Sequence, residues 1–167
     1  AVSAASTLPG SVVKVFAGTY VENNPIKCGP QVSIVGDSLR EVTVVPQNAD
    51  KDLFHVAPGD LISDMSFTGT MNAGSAVVAF DPDVIRYSGQ SPYLLNCTNF
   101  ISNSIGMKID GDNVIGPFKS FVTDSFTQYN QNGIGASITN KGYAQIVSLF
   151  TINSDMGIFC GSGGQCE

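Results

Sequence analysis

"NSIGMKI", residues 103–109, and "NGIGASI", residues 132–138, are one phrase written twice, 29 positions apart. Each opens on asparagine, carries an Ile-Gly pair at its third and fourth places and closes on isoleucine. A degraded third copy, "SDMGIFC" at 154–160, keeps the glycine and closes on Cys160. A phrase that recurs at such a spacing marks a chain wound into stacked, equivalent turns, each burying its inward face against the next. In such a stack Ile105, Ile134 and Met156 lie over one another, and Gly106, Gly135 and Gly157 let the backbone turn in close.

Other residues recur on either side of that phrase. Phe67, Phe100, Phe126 and Phe150 form one expected column, and Phe80, Ile109, Ile138 and Cys160 a second. Aromatic residues at strand entry, Tyr93, Phe118 and Tyr143, form a third, at two equal steps of 25. Asn103, Asn130 and Asn153 follow the phenylalanines and suit a corner, because asparagine tolerates the left-handed conformation and its amide can bond a copy of itself. Between them run short segments rich in Val, Ile, Phe and Tyr, such as "SVVKVFAGTY", "QVSIVG" and "EVTVV", divided by Gly, Pro, Asn and Asp.

These features predict an all-β chain coiled as a single-stranded parallel β-helix, with right-handed crossovers. About five to six coils follow from the repeat length, a stack of roughly 25 Å at the usual strand spacing. "AVSAASTLPG" reads as a short N-terminal helix with a Pro-Gly stop, capping the first coil. Residues 1–167 are expected to form one β-helix domain, and the bare last coil suggests a piece of a longer chain or an end covered by another subunit.

Charged residues are only 13% and the net charge is −6, with lysines and arginines scattered singly. No basic stripe is available to neutralise phosphates, so nucleic acid is an unsuitable partner, and no apolar run is long enough to insert in a membrane as a helix. Cys28, Cys97, Cys160 and Cys166 contain no CxxC pair, and His55 is the single histidine, which leaves little for a zinc site. The cysteines read mainly as small buried residues. Cys160 and Cys166 are the one sequence-local candidate pair for a disulfide, and Cys166 is the expected exposed thiol.

The stretch 13–69, with "GTYVE", "VSIVGDS" and "LISDMSFTG", resembles the opening coils of pectate-lyase-like and pectin-methylesterase-like right-handed β-helices. The later phrases "ITNKGYAQIVSLFTI" and "SGGQC" look like virion structural proteins of T-even-like phages that infect marine cyanobacteria. The resemblance implies a pectate-lyase-like fold and a place in a phage tail or baseplate. It further implies other virion subunits, a homo-oligomer or a surface glycan as partners, and no cofactor.

The enzyme motifs of those families are missing: neither "QDTLY" nor "DFIFG" occurs. The best local imitation of a lyase site is "DPDVIRYSG", where Asp81 and Asp83 could offer oxygen ligands to calcium and Arg86 a base. Asp110 and Asp112 in "IDGDNVIGP" raise the same question, although an EF-hand would need Gly where Ile115 stands and Glu where Phe121 stands. The plainer reading of both is a turn between coils. Asp64 and Asp124 could supply a glycosidase pair only if their carboxyls lie about 5 to 9.5 Å apart. His55 is expected to point outward as an ordinary surface histidine, and the "NCT" sequon at Asn96 reads as strand. A carbohydrate-active enzyme therefore remains the alternative to a structural module.

Overall fold

The computed structural model describes residues 1–84, 90–112 and 120–167. Helix α1 (Val2–Ala5) leads into successive rungs of parallel strand. The first rung is β1 (Val12–Val15), β2 (Gly18–Glu22) and β3 (Ile26–Lys27), and the second is β4 (Ser33–Gly36), β5 (Val42–Pro46) and β6 (Phe54–Val56). The third rung has β7 (Leu61–Phe67) and β8 (Ala76–Phe80), the fourth β9 (Tyr93–Asn99) and β10 (Ile105–Asp110), the fifth β11 (Ser120–Gln128) and β12 (Ile134–Thr139). The sixth holds β13 (Tyr143–Ile146), β14 (Leu149–Thr151) and β15 (Met156–Cys160), and β16 (Gln165–Cys166) begins another. The fold is nearly all-β, and its sheets are parallel.

One sheet runs β1-β4-β7-β9-β11-β13-β16, with β2, β5 and β14 paired beside it, and the other runs β15-β12-β10-β8-β6-β3. The chain passes from the first sheet to the second once per rung, so each strand pairs with its counterpart one rung away. The opening phrase is where this is plainest: Ile105 pairs with Ile134 and Ile134 with Met156, while Ile109 pairs with Ile138 and Ile138 with Cys160. Phe80 follows Ala79, which pairs with Lys108, and so falls beside Ile109.

Strands β7, β9 and β11 are long because each contains a bend. Asp64, Asn96 and Ser125 take left-handed φ values of 58°, 48° and 55°, and the pairing skips them: Ser63 pairs with Leu95 and Met65 with Cys97. The Asn96 side chain donates to Asp64 Oδ1 at 2.8 Å, a hydrogen bond from one bend to the next. Gly36 lies against the first of these bends. A Cβ there would sit 2.0 Å from the Asp64 carbonyl oxygen, which explains glycine without any unusual φ.

Three expected columns need correction. Phe67 pairs with Asn99, Phe126 lies between Cys97 and Leu149, and Phe150 pairs with Thr127. Phe100 lies past the end of β9 and stacks on Tyr129 with ring centroids 5.5 Å apart. Only Phe67 and Phe126 share the core, edge to face at 6.5 Å. The cause is the period-two alternation of a strand: an offset of one residue moves a side chain to the opposite face.

The aromatic column is also out of step, since Tyr93 pairs with Val122 whereas Tyr143 pairs with Ser120; Phe118 lies outside the described residues. Among the asparagines, Asn103, Asn132 and Asn153 share left-handed φ values of 63°, 58° and 61°. Asn130 instead turns its side chain into the core, where its Nδ2 donates to the Ser104 and Ile134 carbonyls, both at 3.0 Å.

The interior is apolar through Ile34, Ile62, Leu94, Met65, Met107 and Phe121, but one inward column changes character along the stack. It reads Val44, Phe67, Asn99, Gln128, Thr151. Asn99 Nδ2 donates to Gln128 Oε1 at 2.9 Å and to Ser104 Oγ at 3.0 Å, and both amides are fully buried. Gly106 faces this pair, for a Cβ there would meet Gln128 Nε2 at 1.9 Å.

At the other end α1 is only four residues long and seats Val2 and Ala5 on the core, leaving an apolar cavity of about 550 Å³ inside the first rung, lined by Val13, Tyr20, Phe54 and Met65 among others. The expected cap thus covers the first rung in part.

Gly36→Ala should lower stability by about 1–3 kcal/mol, because the clash is with backbone and the packed bend cannot yield cheaply. Urea unfolding should show the midpoint fall at an unchanged slope. Asn99→Ala should cost a similar amount, about 1–3 kcal/mol, by stranding the buried Gln128 side-chain oxygen and the Ile101 N–H that donates to Asn99 Oδ1.

Candidate functional site

A concentration of polar side chains lies on the outer surface of the second sheet. Strand β6 sends Phe54 and Val56 inward, so His55 between them points out, as alternation requires. His55 pairs with Lys27 on one side and with Ala79 on the other, and Ala79 pairs with Lys108, which sets a histidine and two lysines along one row of the surface. Leu53, by contrast, is fully buried just before the strand begins, where alternation alone would have turned it outward with His55.

Asp52 completes the arrangement. Its Oδ1 accepts the Ala76 N–H at 2.7 Å and its Oδ2 lies 3.2 Å from His55 Nε2. Burial opposes ionisation of this carboxyl, but the hydrogen bonds from His55 and the Ala76 N–H, with the charge of Lys108, more than offset it and hold its pKa below 3.8. His55 Nδ1 is buried and has no hydrogen-bond partner among the described residues. No described hydroxyl reaches the ring, so the geometry is that of a histidine–carboxylate pair and not of a nucleophile triad. Around it lies a groove of about 460 Å³ that also takes in Asp50, Lys51, Asn72 and Lys108.

The acidic residues expected to imitate a lyase site do other work. Asp81 directly follows β8 and Asp110 ends β10 on the neighbouring rung, and each folds back on its own chain: Asp81 Oδ1 accepts the Asp83 N–H at 2.9 Å and Asp110 Oδ1 accepts the Asp112 N–H at 3.0 Å. Both are turns in which an aspartate caps the backbone two residues on. Asp110 Oδ1 also accepts Asn140 Nδ2 at 2.8 Å. Asp81 is buried, and the Lys27 ammonium bonds Asp83 and stands 4.0 Å from Asp81. Where calcium was one expectation for Asp81 and Asp83, a lysine supplies the positive charge.

Arg86 lies outside the described residues. Among the described residues no three His, Cys, Asp or Glu side chains converge as metal ligands. Asp64 is engaged by Asn96, whose side chain donates to it from the bend of the next strand. Asp64 and Asp124 belong to β7 and β11, with β9 between them.

What sequence reading missed was Asp52. Its signal was an aspartate three residues before the single histidine, in "DLFH", at the point where a turn enters a strand. Asn24 was missed as well: its buried amide donates to the carbonyls of Asn48, Lys51 and Asp52 at 2.8, 2.9 and 3.1 Å and so fixes the backbone from which Asp52 projects. Comparison of the chain with family models, with curated proteins and with solved structures returns no match.

Because the folded-state pKa of Asp52 is depressed, its contribution to stability is complete above the ordinary value of 3.8 and is lost as pH falls through the lowered folded value. Asp52→Asn should therefore destabilise the protein near neutral pH, by about 1–2 kcal/mol for a part-buried charge-assisted pair. The gap from the unsubstituted chain should close as pH is lowered below 3.8, as followed by denaturant titrations at a series of pH values.

Proposed function

We propose that this chain is a right-handed single-stranded parallel β-helix, pectate-lyase-like in form, that serves as a non-enzymatic building block of a phage tail or baseplate. The observation that carries this reading is the continuous parallel ladder through every rung, from β1 to β16 on one sheet and from β3 to β15 on the other. Each rung is tied to the next by main-chain hydrogen bonds between its strands, so a force applied across the stack is shared among many bonds. Such a body suits a rigid spacer or spike. The phrases "ITNKGYAQIVSLFTI" and "SGGQC", similar to virion proteins of T-even-like cyanophages, supply the biological setting.

Its surface supports contacts with other virion subunits or with further copies of itself. Phe16, Val21, Val147 and Phe150 are all more than 60% exposed, on outer strands and corners near the two ends of the stack. Side chains of this size left open near strand edges favour association.

A carbohydrate-active enzyme is the second reading, and the groove around Asp52 and His55 favours it, being concave, polar and of a size for a sugar unit. The two readings separate experimentally. Density-purified particles should contain the chain at many copies each, and gold-labelled antibody should decorate the tail or baseplate; a chain present in lysates and missing from particles would sink the structural proposal. Release of reducing or unsaturated sugar ends from a panel of acidic polysaccharides, lost in Asp52→Asn, would establish the enzyme instead.

A further inference from the structure

Along the first strand of successive rungs the inward residues are Val13, Ile34, Ile62, Leu94 and Thr123. Alternation turns the residues between them outward, and the register stacks those into two columns on the flank of the first sheet. One column reads Val12, Ser33, Leu61, Tyr93, Val122, and the other Lys14, Val35, Ser63, Leu95, Asp124. Val35, Leu61, Tyr93, Leu95 and Val122 are half-buried and Val12 is 65% exposed, yet none of them packs on the core. They make an apolar strip along the side of the stack, lying across the rungs and not at either end of the chain.

The two charges of the strip stand at its opposite ends. Lys14 and Asp124 belong to one column, four rung spacings or roughly 19 Å apart. Lys14 Nζ donates to Asp37 Oδ1 and to the Gly36 carbonyl, both at 3.0 Å, and its side chain remains 46% exposed. Asp124 Oδ1 accepts the Ser125 hydroxyl at 3.0 Å, and the carboxylate has no cationic partner among the described residues. A surface that is positive at one end, apolar along its middle and negative at the other end is complementary to itself turned end for end.

We propose that this strip joins two copies of the chain, packed face to face with their stacks antiparallel about a two-fold axis lying along β7. Such an axis keeps each column over itself and reverses its order. Lys14 then meets Asp124 of the other copy, Val35 meets Leu95, Val12 meets Val122 and Ser33 meets Tyr93, while Leu61 and Ser63 lie on the axis. Strand directions in the two copies stay aligned, as packed sheets prefer. A parallel pair would instead set Lys14 against Lys14 and Asp124 against Asp124. Moving the axis by half a rung would put Lys14 against Leu95, or Asp124 against Val35, and leave a charge facing apolar side chains. With about ten residues a side the interface is small, so the dimer is reversible. The proposal rests on the self-association put forward above and does not depend on the phage setting.

The test is sedimentation velocity on the purified chain over a series from about 1 μM to about 1 mM. The expected result is a monomer–dimer equilibrium. Leu61→Asp should weaken it about ten-fold or more, because two carboxylates then meet at the axis. Lys14→Glu and Asp124→Lys should each weaken it as well, and an equal mixture of these two variants should dimerise as the unsubstituted chain does, since every charge again faces its opposite. All three positions lie outside the core, so circular dichroism of the variants should match the parent. A monomer throughout the series, an association indifferent to Leu61→Asp or to the single charge variants, or a mixture that associates no better than its components would overturn the proposal. None of these results bears on whether particles contain the chain, which the particle experiment decides separately.

Discussion

Everything in this molecule hangs on the requirement that a parallel strand meet its neighbour residue for residue, one rung of chain later. The ladder from Ile105–Asp110 to Ile134–Thr139 to Met156–Cys160 shows the consequence. Once Ile105 is set over Ile134, the later residues of that strand are placed too, and whatever is wrong for its position, a charge facing in or a Cβ against a carbonyl, meets both neighbouring strands. The strands therefore keep their register where they touch, and the differences in length between rungs are taken up in the corners.

The corners are where the chain solves its geometric problem, and each uses a different device. The bend within β7, β9 and β11 takes one left-handed residue, Asp64, Asn96 or Ser125, that drops out of the pairing. The turns after β8 and β10 use an aspartate to cap the backbone two residues on. Where rungs approach most closely a glycine is needed: at Gly111 a Cβ would lie 2.0 Å from the Asn140 carbonyl oxygen. Buried amides do the rest: Asn24, Gln128 and Asn130 donate to backbone carbonyls, and Asn99 donates to Gln128. A buried polar network of this kind fixes one arrangement of its neighbours, because each alternative leaves a donor or acceptor unpaired.

The polar groove follows from the same layout. A strand that buries Phe54 and Val56 must expose His55, and a turn held by Asn24 sets Asp52 beside it. Asp81, Asp83, Asp110 and Asp112 looked like chemistry in one dimension because acidic pairs separated by a single residue resemble ligand sets. In three dimensions the repeat spacing itself accounts for them: Asp81 and Asp110 are 29 residues apart, the step of the phrase that defines the stack.

Sequence alone determined that the chain is β-rich and repetitive, and it paired Ile109, Ile138 and Cys160 correctly, because each closes the same recurring phrase within a single strand, with no corner between it and the phrase's earlier residues. It could not align Phe67, Phe100, Phe126 and Phe150, or Tyr93 with Tyr143, since corners of unequal length shift the register by one or two residues and a shift of one reverses the face. Nor could it join Asp52 to His55 as a pair. Those relations depend on which residues the corners carry across from one rung to another, and the length of a corner is a property of the folded stack.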